Sequence, residues 1–89
     1  MTNLLSLTVT IKKPEQTVFD GEATAISSVS NRGRFDVLPY HANFISLIQD
    51  SITIYQEGKK PQIIPIKTGV MKVNANIVKI ILGVETKQI

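Results

Sequence analysis

The chain has 89 residues, enough for one small domain and not two. Hydrophobic residues make up 43%, too many for a disordered chain, and the absence of cysteine excludes a disulfide framework or a thiolate metal site. The net charge of +3 is mild, and the basic residues fall as scattered pairs and singles beside turn signals, a solvated surface rather than a clustered nucleic-acid track.

The opening run, Leu5, Leu7, Val9 and Ile11 alternating with Ser6, Thr8 and Thr10, has the period of two that buries one face of a strand and leaves the other wet. Lys13-Pro14-Glu15 ends it. Strands are then expected over 16–19, 22–30 and 34–38, divided by Asp20-Gly21 and Asn31-Arg32-Gly33. After Pro39-Tyr40, strands at 44–48 and 51–56 are divided by Gln49-Asp50, although Ala42, Ile45, Ile48 and Gln49 also fit two turns of helix. Glu57-Gly58-Lys59-Lys60-Pro61 precedes strands at 62–67 and 70–74, divided by Thr68-Gly69. Pro65 lacks a backbone donor, so its strand should lie at an edge or bulge there. Asn74-Ala75-Asn76 leads to the last strand, 77–84, after a first strand at 4–11.

Turns every 8–12 residues or so point to an all-β domain, a sandwich or barrel. One domain is expected over 1–85, with a frayed end at 86–89. No run reaches the about 20 apolar residues of a membrane-spanning helix. Met1-Thr2-Asn3-Leu4-Leu5 has no basic segment and no long apolar stretch, unlike a signal peptide. Membrane association is therefore expected only through a partner.

Candidate chemistry is sparse. His41 is the single histidine, with no second imidazole for a metal and no nearby serine in the Phe35–Asn43 segment for a triad. The acids, Glu15, Asp20, Glu22, Asp36, Asp50, Glu57 and Glu85, mostly sit beside turn residues, where they are solvated or bond the backbone. The five glycines are isolated and form no phosphate-cradling loop. No catalytic residue, metal or cofactor is expected. Phe19, Phe35, Tyr40, Phe44 and Tyr55 allow an alternative: a small basic β-barrel stacking single-stranded nucleic acid.

One stretch is more ordered than a generic strand pattern: Arg34-Phe35-Asp36-Val37-Leu38-Pro39-Tyr40-His41-Ala42-Asn43-Phe44. It resembles the signature of the F-type ATP synthase ε-subunit family, where a loop runs into a short strand and then Leu-Pro-Gly-His-Ala-Pro. Leu7-Thr8-Val9, Val18-Phe19-Asp20-Gly21-Glu22, Thr68-Gly69-Val70-Met71-Lys72-Val73 and Asn76-Ile77-Val78-Lys79-Ile80-Ile81-Leu82 resemble other family segments in the same order. The likeness covers residues 5 to about 85.

The resemblance implies a two-sheet antiparallel β-sandwich of about ten short strands. It also implies a non-catalytic central-stalk subunit, bound to the γ subunit and the c-ring, that couples proton translocation to ATP synthesis. Such a subunit sits peripherally on the cytoplasmic face of the inner or plasma membrane, or on the matrix or stroma side in an organelle. By position, Asn31, Arg32, Gly33, Arg34 and His41 are the expected ring contacts, and Phe44 and Ser46 the expected γ contacts. No nucleic-acid partner is implied.

The sequence departs from the family pattern at Tyr40, where the family has glycine, and at Asn43, where it has a second proline. Tyrosine resists positive φ, so a turn of type I or a rebuilt turn is expected. Asn31-Arg32-Gly33-Arg34 replaces an acidic loop, which calls for acids on a facing ring. The family continues into a helical hairpin where this sequence stops, so neither hairpin-based inhibition nor a nucleotide site is expected of these residues.

Overall fold

The computed structural model describes residues 6–83. Seven strands follow one another: β1 (Leu7–Lys13), β2 (Gln16–Ala23), β3 (Ala25–Ser30), β4 (Gly33–Val37), β5 (Phe44–Tyr55), β6 (Gln62–Asn74) and β7 (Ile77–Leu82). Their order is β2-β1-β7-β6-β5-β3-β4 in one continuous ladder. The start of the first strand at residue 4, the end of the last at 84, the domain limit at 85 and the end segment 86–89 lie outside the described residues.

The alternation read in the sequence sets the inner face. Leu7, Val9 and Ile11 of β1, Val78, Ile80 and Leu82 of β7, and Met71 and Val73 of β6 are buried. Ile48, Ile52 and Ile54 of β5, Ile26 of β3 and Val37 of β4 join them in a single cluster. Val37, on a strand at the margin of the ladder, and Val9, near its other margin, are both fully buried. An open sheet cannot cover one of its own faces so completely. The ladder therefore folds over itself, and its two halves enclose one core as a β-sandwich.

The strand count and pairing differ from the sequence expectation. The segments 44–48 and 51–56 merge into β5, and 62–67 and 70–74 into β6. Gln49-Asp50 is a kink rather than a turn: Asp50 takes φ 70° while the β5–β6 register shifts between Gln49 and Ser51. Aspartate tolerates the left-handed region, so the strand bends there without ending. The bend changes which side of β6 faces inward, from Ile64 and Ile66 to Gly69, Met71 and Val73. The expected strand 22–30 instead divides at Thr24, which bonds the Tyr55 carbonyl through both its N–H and its hydroxyl.

The sheet is also mixed rather than antiparallel throughout, because β1 and β7 pair in parallel from Thr8↔Ile77 to Lys12↔Ile81. No helix forms at 41–49. Pro65 sits opposite Ser51, at the register shift. Its half of β6 pairs with β5 alone among the described residues, because the β7 ladder begins only at Gly69. A missing N–H costs nothing on that free side.

Candidate functional site

The β3–β4 turn is tight. Ser30 pairs with Gly33, leaving Asn31 and Arg32 exposed at its tip. The Ser30 hydroxyl accepts the Arg32 N–H at 3.2 Å, and Gly33 takes φ 114°, a conformation suited to glycine. Arg34, also exposed, donates from Nη2 to the Tyr55 hydroxyl at 3.1 Å. Arg32 and Arg34 have no acid partner among the described residues. The turn thus presents two cations, one of them, Arg34, steadied by a neutral oxygen.

The second part is the loop between β4 and β5. The His41 N–H donates to the Leu38 carbonyl at 3.1 Å, closing a turn with Pro39 second and Tyr40 third. Tyr40 has φ 66°, so the expectation of a type I or rebuilt turn is overturned. Positive φ at the third position after proline is the type II pattern, held here by a tyrosine. The neighbouring hairpin explains how. Ala75 and Asn76, at φ 51° and 65°, form the two-residue turn between β6 and β7. The Tyr40 N–H donates to Asn76 Oδ1 at 2.6 Å, and the Ala75 N–H to Asn43 Oδ1 at 3.0 Å. Asn43, where the family pattern has proline, and Asn76 cross-link the two turns.

Tyr40 is 66% exposed, so its side chain recovers little of the cost of its backbone. A non-glycine residue in this region costs on the order of 1 kcal/mol. Tyr40→Gly is expected to raise stability by about 0.5 kcal/mol, net of the greater freedom of glycine in the unfolded chain. A urea melt would check the sign, and a fall in midpoint would mean that the exposed ring packs against something in solution.

His41 is exposed, and its Nδ1 lies 2.9 Å from the Ala42 carbonyl oxygen. Its ring stands 5.1 Å from that of Phe44, and Phe44 meets Phe35 edge-on at 5.9 Å. Phe44 and Ser46 are half-buried, and the Ser46 hydroxyl donates to the Leu47 carbonyl at 3.0 Å. A shallow depression is lined by Arg32, Gly33 and Phe35 on one side and Phe44, Ile45 and Ser46 on the other. The fold therefore gathers Asn31, Arg32, Gly33, Arg34, Phe44 and Ser46 around one depression, with the tilted ring of His41 packed against Phe44 at its border.

Sequence reasoning missed the residues between those it selected. Ile45 and Leu47 point outward at 69% and 73% exposure, beside the half-buried Phe44 and Ser46. The signal was present, because Phe44-Ile45 and Leu47-Ile48 are apolar on both faces of a strand. Such a strand has a wet side with no reason to be apolar unless something covers it. Among the described residues no group of three or more histidine, cysteine or acidic side chains could hold a metal ion, and no helix is long and apolar enough to cross a membrane.

Residues 6–84 match the family described as the ATP synthase delta/epsilon chain, β-sandwich domain. The chain is similar to the ATP synthase epsilon chain of Leptospira interrogans, 24% identical over 75 residues, covering 84% of this chain and 59% of that protein. It is also similar to the ATP synthase epsilon chain of a Synechococcus species, 26% identical over 79 residues, covering 89% and 58%. In fold it resembles a chain of the Euglena gracilis mitochondrial ATP synthase OSCP/F1/c-ring structure, with a TM-score of 0.82, 21% identity and coverage of 91% and 53%. A chain of the Tetrahymena thermophila mitochondrial ATP synthase central stalk and c-ring gives 0.71, 13% identity and coverage of 91% and 66%. The chain thus spans somewhat under 60% of the length of these curated relatives. It belongs to the delta/epsilon family of ATP synthase β-sandwich domains.

Proposed function

We propose that this chain is a non-catalytic central-stalk subunit of an F-type ATP synthase, which binds γ and the c-ring and couples proton translocation to ATP synthesis. The family match over residues 6–84, with the predicted contact residues gathered at one depression, carries this reading. The Asn31–Arg34 turn and His41 meet the c-ring. Phe44 and Ser46 fix the start of β5 so that its outward side chains, Ile45 and Leu47, meet γ. Membrane association runs entirely through these partners, which places the chain peripherally on the side of the membrane that carries the catalytic head. The two arginines require acids on the facing ring loop, since like charges brought together weaken an interface.

A nucleic-acid platform is less well supported, because Phe19, Phe35 and Phe44, which would have to stack on bases, are partly buried against the core. The test is co-expression with the γ subunit of the same genome, followed by size-exclusion chromatography with light scattering. A one-to-one complex is expected. Separate elution of two folded proteins at micromolar concentration would overturn the proposal.

A further inference from the structure

The outer face of β5, β6 and β7 has an ordered pattern. Register aligns Leu47 with Val70 and Val70 with Ile81, giving an apolar row across three strands. The next row aligns Ile45 with Lys72 and Lys72 with Lys79, placing two lysines directly opposite each other on adjacent strands. Ile77 lies one step further along β7 and is also exposed. Lys72 and Lys79 are exposed and have no ion-pair or hydrogen-bond partner among the described residues. The nearest acid in their row, Asp20, stands beyond β1, opposite Thr10 on β2.

Two features of this face work against the isolated domain. Like charges directly opposite on adjacent strands repel. Exposed isoleucines and leucines on the same rows keep apolar area in water. A facing surface that covered the apolar row and placed a carboxylate between the lysines would relieve both. A shallow depression lined by Lys72, Asn74, Ala75, Ile77 and Lys79 has room for such a side chain.

We infer that the Lys72–Lys79 pair is a carboxylate-binding element of the partner interface, and that the protein docked on this face inserts an aspartate or glutamate between the lysines, flanked by apolar residues. This rests on the central-stalk reading and adds to it the chemistry of the γ surface. The geometry requires an acid there, whereas a merely apolar interface would leave two buried ammonium groups facing each other.

The test measures affinity for the γ subunit of the same genome by titration calorimetry, with wild type, Lys72→Glu/Lys79→Glu and the control Lys59→Glu/Lys60→Glu in the β5–β6 connection. The reversal at 72 and 79 is expected to weaken binding at least tenfold, and the control by less than about twofold, because close charge reversal at an interface costs more than a change at its margin. Wild-type binding should weaken with salt. A second measurement separates an interface role from simple misfolding. The single change Lys72→Glu turns the repelling pair into an attracting one, so the free domain should melt about 2 °C higher while still binding γ more weakly. Affinity of the double variant equal to wild type would overturn this inference and leave the central-stalk reading standing. Absence of binding by wild type would overturn both.

Discussion

Gly69→Ala is expected to destabilise the domain by about 2 kcal/mol, although it replaces a strand glycine with a residue of lower unfolded-state entropy. Gly69 is buried on β6 between Ile48 of β5 and Leu82 of β7. A Cβ built there would lie 2.9 Å from the Ile81 carbonyl oxygen and 2.9 Å from Leu82 Cδ2. The leucine methyl can rotate aside. The carbonyl cannot, because it belongs to the backbone of the strand paired with β6. The usual gain from removing a strand glycine is below about 1 kcal/mol, while overpacking costs typically 1–3, so the clash decides the sign. Urea unfolding should show a lower midpoint with an unchanged slope, and the melting temperature should fall by roughly 10 °C. A midpoint at or above wild type would mean that β6 and β7 separate easily at this point.

Gly69 also shows where the sequence was ambiguous. Thr68-Gly69 has the composition of a turn, and a turn was expected there. Its glycine instead answers a need for close approach between strands, which depends on residues such as Ile81 and Leu82 that are distant in sequence. Asp50 misled in the same way: acid at a turn-like position served as a left-handed kink inside β5. Alternation along Leu7–Ile11, Met71–Val73 and Val78–Leu82 was legible because a strand's inward face follows from local period alone. The parallel pairing of β1 with β7 was not, since nothing within either segment specifies which neighbour it takes.

The candidate site was legible to a different degree. Its residues were located by a resemblance of motifs, and the fold placed them round one depression. The conformation at Tyr40 was misjudged because the restraint comes from Asn43 and Asn76, one of them 36 residues away along the chain. Single-residue preference gave the wrong outcome because it takes no account of those hydrogen bonds. The positions that follow the Pro39-His41 turn by resemblance, Phe44 and Ser46, are half-buried, whereas a contact surface is built from outward side chains such as Ile45 and Leu47.

Reversing the turn charges, Arg32→Glu with Arg34→Glu, is expected to lower ATP-driven proton pumping by at least tenfold in membranes carrying the reassembled synthase. This follows from the proposed ring contact. Two cations become two anions opposite acids that the wild-type loop requires, and like-charge juxtaposition at an interface costs several kcal/mol. The fold should tolerate the change. Both positions are exposed, the Arg32 hydrogen bond to Ser30 is made by its backbone, and surface substitutions of this kind move stability by about 0.5 kcal/mol or less. Arg34 alone has a side-chain partner, the Tyr55 hydroxyl. Tyr55→Phe therefore serves as the control, because it removes that bond while keeping both charges. Pumping should survive Tyr55→Phe and fail with the double reversal, while γ still co-purifies in each case because Ile45, Leu47, Lys72 and Lys79 are unchanged. Normal pumping by the double variant would show that the Asn31–Arg34 turn does not face the ring, and the contact would then have to be sought among Leu38, Tyr40 and His41 on the adjoining loop.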